Sequence, residues 1–261
     1  MTAVIKRNNW AIWRDVIFAL FVREIRTGFN DRLGLAWAVF QPLSFIFLLS
    51  YIRGRMDGGL SHGIPTFEFM MYGMLFVQLF LDSFMNVSNS LQKNKALFAF
   101  RQVQPISSAI AVGSFYFLVK LAAFLLIFVI MYFLGMDFEV NDPLYLILNM
   151  AALWIIGFSV GLLFAIGQCY VPELSKLKTV ISRPLFFISG VFFSMQDVPK
   201  EYWSYLDWNP ILHAIELSRH AAHTSYNLEA VSEFYLFSSA LVLLFFALAT
   251  YHVSWKQAVS R

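Results

Sequence analysis

The stretch SSAIAVGSFYFLVKLAAFLLIFVIMYF, residues 107–133, decides the class of fold because Lys120 is the one charge along its whole length. A helix needs about 20 mostly apolar residues to cross the hydrocarbon core of a bilayer. Outward from this stretch, five more segments approach or exceed that length: residues 33–52, 67–87, 144–170, 180–195 and 234–253. The fifth span in chain order is short and carries Arg183-Pro184 near its start, so it needs neighbouring residues to cross. The sequence predicts an all-α membrane protein with six transmembrane helices.

Composition agrees with this class. The apolar share is 59%, the charged share is 13% and the mean hydropathy is +0.65, whereas soluble domains carry about 25% charged residues. A single cysteine, Cys169, excludes an intramolecular disulfide and a multi-thiolate metal site. The formal net charge of +3 is too small to indicate binding to nucleic acid.

Basic residues predict the orientation in the membrane. Of the 19 Lys and Arg residues, 14 lie in the segments on one side, four lie on the other side, and Lys120 lies within a span. Cytoplasmic loops accumulate Lys and Arg, so we expect a multi-pass protein with both termini in the cytoplasm. Arg53 and Arg55 are exceptions, because they follow the first span on the outer side, where the rule predicts few cations.

Outside the spans, three segments have recognisable patterns in what we expect to be a single domain, residues 1–261. Residues 10–25 combine an aromatic face with basic flanks, which predicts a cytoplasmic interfacial helix within residues 1–32. The pattern of residues 91–103 predicts an amphipathic helix that docks another protein. The alternative is that this segment is an ordinary solvated loop. Residues 196–232 predict two short re-entrant periplasmic helices separated at Asn209-Pro210. Spans one to five occupy residues 33–195, and residues 233–261 form the last span and a cytoplasmic tail.

The sequence lacks a recognisable catalytic set. It has no HExxH, GxSxG or glycine-rich phosphate loop, and His220 and His223 near Glu216 form only a weak metal pattern. Asp82 and Lys120, the charges within spans, predict a structural ion pair. The GxxxG pattern at residues 157–161 predicts close helix packing within one subunit. The chain therefore offers a membrane path without an energy source, which indicates that a partner supplies the energy.

Four stretches together resemble capsular polysaccharide export permeases, the transmembrane subunits of type-two ABC exporters. They are FVREIRTGFN (21–30), RLGLAW with QP (32–37 and 41–42), ISGVFF (188–193) and NPILHAIELSR (209–219). The resemblance covers essentially the whole chain and implies a location in the bacterial inner membrane. It implies a homodimer bound to two copies of a soluble subunit that binds ATP and Mg²⁺, with no cofactor in this chain. It also implies a periplasmic polysaccharide co-polymerase or export protein as a partner.

The resemblance also implies roles for three groups of residues. A substrate channel between the first and fifth spans would use aromatic rings to stack on sugars and arginines to attract acidic sugars or a lipid phosphate: Trp37, Phe40, Phe45, Tyr51, Arg53, Arg55, Phe187, Phe192 and Phe193. For the arginines, a salt bridge to Asp57 or contact with lipid headgroups is the alternative. The coupling element would comprise Lys93, Lys95, Leu97, Phe98, Phe100 and Arg101. The periplasmic motif would comprise Asn209, Pro210, His213, Glu216 and Arg219.

The expected function is ATP-driven export of a lipid-linked, acidic capsular polysaccharide, with ATP hydrolysed by the partner and no enzymatic activity in this chain. One alternative is the same machine with another cargo, such as O-antigen, a teichoic-acid polymer, a lipid or a drug. A second is an intramembrane enzyme that acts on lipid-linked sugars through His213, Glu216 and His220.

Overall fold

The computed structural model describes residues 8–29, 34–56, 58–136 and 139–260. These residues are mostly helical, as the sequence predicts. The α-helices are α1 Asn9–Phe29, α2 Gly34–Met56, α3 Thr66–Lys93, α4 Pro105–Phe133, α5 Pro143–Tyr170, α6 Leu174–Ile188, α7 Pro210–Ala222 and α8 Glu233–Ser260. An antiparallel hairpin of β1 (Leu60–Ser61) and β2 (Ile64–Pro65) joins α2 to α3. Short 3₁₀ helices occupy Lys95–Ala99, Met195–Asp197 and Lys200–Tyr205.

Four of the described helices are long and apolar enough to cross a membrane: α3, α4, α5 and α8. Helix α6 is outside this group because its 15 residues extend about 22 Å, less than the roughly 30 Å of a bilayer core. The bounds predicted for the fifth span, residues 180–195, are wrong. The helix begins earlier, at Leu174, and ends at Ile188, where Gly190 takes a positive φ of 78° and the chain turns into a loop.

Helix α3 lies at the centre of the fold and packs most extensively against α5 and α4. Its side chains Phe69, Tyr72 and Phe76 are almost completely buried. Helix α5 approaches α3 closely at two glycines. A Cβ at Gly157 would lie 3.1 Å from the Phe80 carbonyl oxygen, and one at Gly161 would lie 2.9 Å from the Val87 Cβ. The prediction that this GxxxG pattern packs within one subunit is confirmed.

Local sequence explains where several helices begin. Pro105, Pro143 and Pro210 each lie in the first turn of a helix, where a missing N–H costs nothing and the fixed φ suits the helix. Asp142 caps α5, and Asn209 caps α7 by accepting a hydrogen bond from the Ile211 N–H at 3.0 Å. The predicted boundary at Asn209-Pro210 is therefore confirmed.

Two predicted helices have a different form. Residues 91–103 do not form one helix, because α3 ends at Lys93 and the Asn94 side chain donates to the Ser90 carbonyl at 2.9 Å. Such a side-chain bond competes with continuation of the helix, and a 3₁₀ turn, Lys95–Ala99, follows. Similarly, the first helix expected in residues 196–232 consists of 3₁₀ turns, while α7 forms the second.

The predicted ion pair between spans is confirmed. Lys120 Nζ of α4 lies 2.7 Å from an Asp82 carboxylate oxygen of α3. The same ammonium donates to Gln78 Oε1 at 3.0 Å. Because Lys120 is buried, these two partners offset much of the cost of placing its charge inside the protein.

Candidate functional site

A groove of about 680 Å³ lies between α2, α3 and α6 and runs up to the loop after α6. Its walls are mostly apolar, with a few polar groups, as ligand sites generally are. The lining side chains are Gln41, Phe45, Leu49, Met74, Gln78, Leu81, Thr179, Ser182, Arg183, Phe186, Phe187 and Phe192. The groove thus brings together three of the predicted channel residues: Phe45 on α2, Phe187 on α6 and Phe192 on the loop after α6.

Aromatic rings cluster where the groove meets the C-terminal end of α6. The ring centroids of Phe186, Phe187 and Phe192 lie 5.4–5.9 Å from one another, within the usual range for aromatic contacts. Phe187 remains 61% exposed, so its face is available to a ligand.

The remaining predicted channel residues lie outside the groove lining. Trp37 and Phe40 are exposed near the start of α2, with ring centroids 5.5 Å apart. Arg55 donates to the Tyr51 hydroxyl at 2.8 Å and lies over its ring. Phe193 is half-buried.

Arg53 has a structural contact that the sequence did not indicate. Its guanidinium donates to the Phe192 carbonyl and lies 5.0 Å from the Phe69 ring centroid. It therefore ties α2 to the loop that follows α6. The alternative salt bridge to Asp57 lies outside the described residues.

The sequence interpretation missed the polar residues of the groove. Gln41 and Gln78 line it from α2 and α3, and Thr179, Ser182 and Arg183 line it from α6. The signal that could have revealed the α6 group is its spacing of three and four residues, which places side chains on one side of a helix. The glutamines gave no comparable signal.

The predicted coupling segment contacts α1 through the buried carboxylate of Glu24. Glu24 is only 5% exposed and accepts hydrogen bonds from Lys93 Nζ at 2.9 Å and from Arg23 at 2.8 Å. Arg23 also donates to Asn94 Oδ1 at 2.5 Å. Burial alone would raise the pKa of Glu24, but the hydrogen bonds and charges of Lys93 and Arg23 outweigh it, so the pKa is lowered. The Lys93 side chain therefore already has an ion-pair partner within this chain.

The rest of the coupling segment is more accessible. Lys95, Phe100 and Arg101 are exposed, whereas Leu97 and Phe98 are half-buried. Beside them lies a cleft of about 450 Å³, lined by Asn9, Ile12, Trp13, Arg101, Gln102 and Gln104. The α1 helix and the segment after α3 therefore form one continuous surface.

The predicted periplasmic motif forms a buried polar network around Arg219. Arg219 and Glu216 are both 0% exposed and their side chains are 2.8 Å apart. The guanidinium also donates to the carbonyls of Phe69, Val191 and Phe193 at 3.0–3.3 Å. It lies 3.4 Å from the Phe69 ring centroid. These contacts tie α7 to the start of α3 and to the loop after α6.

Glu216 has further donors that the sequence interpretation missed. Its second oxygen accepts from Ser194 Oγ at 3.0 Å and from Tyr226 Oη at 2.8 Å. Asn209 extends the network by donating to Ser189 Oγ at 3.0 Å. No sequence pattern pointed to Ser194 or Tyr226.

His213 and His220 form hydrogen bonds with backbone groups, whereas His223 bonds to the buried Glu68 carboxylate at 2.6 Å. His213 Nε2 donates to the Asp207 carbonyl at 2.7 Å, and its Nδ1 accepts from the Ser232 N–H at 2.9 Å. His220 Nδ1 donates to the Tyr226 carbonyl at 2.8 Å. Since Glu216 bonds to other partners, the three residues of the enzyme alternative share no hydrogen bond. No group of three potential metal ligands occurs among the residues that the structure describes.

The apolar helices define a multi-pass membrane protein, with a groove between α2, α3 and α6. The sequence model of the ABC-2 type transporter family matches residues 3–222. The chain therefore belongs to the ABC-2 type transporter family, and it is a multi-pass inner-membrane transport permease.

Named relatives align along nearly the whole chain. Two proteins named polysialic acid transport protein KpsM, from Escherichia coli, are each 35% identical over 94% of this chain and 95% of their own length. The capsule polysaccharide export inner-membrane protein CtrC of Neisseria meningitidis serogroup B is 24% identical, over 95% of this chain and 96% of its own length. The capsule polysaccharide export inner-membrane protein BexB of Haemophilus influenzae is 22% identical over 82% of this chain and 81% of its own length.

Proposed function

We propose that this chain is the transmembrane subunit of an ATP-driven exporter that moves a lipid-linked, acidic capsular polysaccharide across the inner membrane. The observation that carries the proposal is the end-to-end match to two proteins named for transport of polysialic acid, an acidic polymer. The groove between α2 and α6 is consistent with this role, because flat aromatic faces can stack on sugar rings without holding any one unit tightly.

The proposed assembly contains two copies of this chain and two copies of a separate ATP-binding subunit. The sequence has no glycine-rich phosphate loop, so the partner would bind ATP and Mg²⁺ and this chain would hold no cofactor. Lys95, Phe100 and Arg101 are exposed beside α1 and would contact the partner. A periplasmic polysaccharide co-polymerase or export protein would receive the polymer.

In the membrane we infer six spans, formed by α2 to α6 and α8, with both termini in the cytoplasm. Helix α1 would lie at the cytoplasmic surface, since Trp10 and Phe18 are exposed on it. Residues 196–232 would form the re-entrant periplasmic segment. Helix α6 exposes Lys176 and Arg183, which favours a place at the dimer axis beside the polymer.

In this arrangement the channel would combine the groove with the neighbouring exposed side chains. Phe45, Phe187 and Phe192 would form its wall, joined by the other predicted channel residues: Trp37, Phe40, Tyr51, Arg53, Arg55 and Phe193. The arginines near the end of α2 would lie at the outer end and give it a positive charge.

Charge reversal at the coupling surface tests the proposal. The double substitution Lys95→Glu and Arg101→Glu should lower association with the ATP-binding subunit by at least roughly tenfold, because like or unpaired charges at an interface weaken docking. Lys200→Glu, on the segment proposed to be periplasmic, is the matched control and should bind normally. Association is measured by co-purification and export by surface polysaccharide.

Two results would contradict the proposal. Wild-type assembly and export in the double variant would show that the docking surface is elsewhere. Transport of the polysaccharide by the purified chain without any ATP-binding subunit would refute the ATP-driven mechanism itself.

A further inference from the structure

Helix α6 is attached to the rest of the protein mainly through a lysine. Of its 15 residues, Lys178 is the one that is buried, with 3% of its surface exposed. Helices usually attach by burying an apolar stripe, as α3 does. Near the end of α6, Leu185 and Phe186 are half-buried and pack against the core, so the two ends of this helix are held by different chemistry. The first half has Lys178 as its buried contact.

The Lys178 side chain reaches the last turns of α3. Its ammonium donates to Ser88 Oγ at 2.8 Å and to Asn89 Oδ1 at 2.5 Å. Ser88 is itself buried, and its carbonyl accepts a hydrogen bond from Gln168 Nε2 of α5 at 3.3 Å. Helices α3, α5 and α6 therefore meet at this one serine.

Both hydrogen-bond partners of Lys178 are uncharged. Its ammonium forms no ion pair with any carboxylate that the structure describes, whereas Lys120, which is also buried, pairs with Asp82 at 2.7 Å. An isolated charge inside a protein is costly, and an apolar side chain of similar volume is often as stable or more stable there. Stability alone therefore does not explain a lysine at this position. The hydrogen bonds add direction: they fix the height and rotation of α6 against α3, because they weaken steeply when their geometry changes.

The end of α3 leads directly into the predicted coupling segment. Ser88 lies about 8 Å along the helix axis from Lys93, where α3 ends, and the exposed Lys95 follows. On the other side of the contact, Lys178 lies about 14 Å along α6 from Phe187, which lines the groove. Coupling between sites travels through rigid elements and the side-chain contacts that join them. The Lys178 contact therefore joins the proposed docking surface to the groove wall.

We propose that Lys178 is a positioning residue that makes α6 follow the end of α3 during transport. The ATP-binding subunit would displace the exposed coupling residues, and the end of α3 would move with them. Ser88 and Asn89 would then carry Lys178, and with it the groove-lining part of α6. The inference rests on the proposed function and deepens it, because it names the contact through which movement of the partner reaches the groove.

The substitution Lys178→Met tests this role, because methionine is also long and unbranched but has no charge and donates no hydrogen bond. Neither partner is left buried and unpaired, since Ser88 Oγ also donates to the Met85 carbonyl at 2.8 Å and Asn89 is exposed. The Tm of the complex should therefore stay the same or rise. Export per ATP hydrolysed should fall roughly tenfold, the factor that corresponds to loss of a hydrogen bond to a charged group. Surface polysaccharide is measured in cells, and ATP hydrolysis and Tm are measured on the purified complex with its ATP-binding subunit.

A second variant tests the same contact from α3. Asn89→Ala changes an exposed side chain, so the chain should fold normally, and export per ATP hydrolysed should again decrease. Adding Asn89→Ala to Lys178→Met should cause no further decrease, because substitutions that remove one shared contact are not additive. Lys256→Met is the matched control: it removes an exposed cation from α8, and export, ATP hydrolysis and Tm should all match the wild type.

Three results would overturn the inference. They are wild-type export per ATP hydrolysed in Lys178→Met, additive decreases in the combined variant, and a fall in Tm and assembly that accounts for the lost export. The last result would show that Lys178 only stabilises the fold. None of the three affects the exporter proposal, because each compares a variant with an active wild-type complex. Export by the wild-type complex that does not depend on ATP would instead refute the proposed function.

Discussion

Substitution of Glu216 by glutamine tests whether the buried arginine network stabilises the fold. The carboxylate and Arg219 are both 0% exposed and lie 2.8 Å apart. Glutamine preserves the shape and can still bond to Ser194 and Tyr226, whose hydroxyls can reorient. The change therefore removes the counter-charge of Arg219 and little else.

The structure gives the size of the effect. Loss of one partner from a buried ion pair costs about 3–5 kcal/mol. Arg219 keeps its hydrogen bonds to the carbonyls of Phe69, Val191 and Phe193, so we expect a value near the lower limit, about 3 kcal/mol. For a chain of this size, that free energy corresponds to a decrease in Tm of roughly 6–12 °C.

The chain contains its own unfolding reporter for the assay. Cys169 is half-buried and is the single cysteine, so its reaction with a thiol-reactive dye during heating in detergent reports loss of structure. Glu201→Gln changes an exposed carboxylate in the same way and should shift Tm by less than about 2 °C. If Glu216→Gln shifts Tm no more than Glu201→Gln does, the ion pair does not stabilise the fold and the interpretation of the network is wrong.

Two further predictions concern the α1 contact and the α3–α5 interface. Because the folded state lowers the pKa of Glu24, its bonds to Lys93 contribute stability that is complete above the ordinary glutamate pKa of about 4.3 and is lost as pH falls through the lowered value. Tryptophan fluorescence should show a fall in Tm below a pH of about 4.3 that is smaller in Glu24→Gln. An equal fall in that variant would contradict the assignment. Gly161→Ala should destabilise the fold by about 1–3 kcal/mol, because the new Cβ would meet Val87 at 2.9 Å, whereas Gly54→Ala, with nothing closer than 4.0 Å, should be tolerated in the same thermal assay.

The sequence predicted the features that depend on local pattern. Long apolar runs located α3, α4, α5 and α8 because each run is itself the helix. Asn209-Pro210 located the start of α7 because the cap and the proline act within one turn. The pair of Asp82 and Lys120 was predictable because an isolated charge within a span needs a partner close by.

Features that depend on distant parts of the chain were not predictable in this way. Lys178 is buried against Ser88, which is 90 residues away in sequence, and no local pattern indicates this contact. The helix predicted over residues 91–103 was wrong because Asn94 turns back on Ser90. Arg219 was identified through resemblance, yet its carbonyl partners have no side-chain signature. The exporter's candidate groove likewise forms only when α2, α3 and α6 come together.

The contacts of the loop after α6 show why the two ends of the groove differ. Arg53 and Arg219 hold three consecutive carbonyls of this loop, those of Val191, Phe192 and Phe193. Three bonded peptide groups leave the backbone there little freedom, and the Phe192 ring packs against Phe186 and Phe187 with centroids 5.6 and 5.9 Å away. At the opposite end, Arg183 has no described partner and its long side chain keeps its conformational freedom. The groove therefore combines an aromatic end whose backbone is anchored with a cationic end whose side chain can adapt.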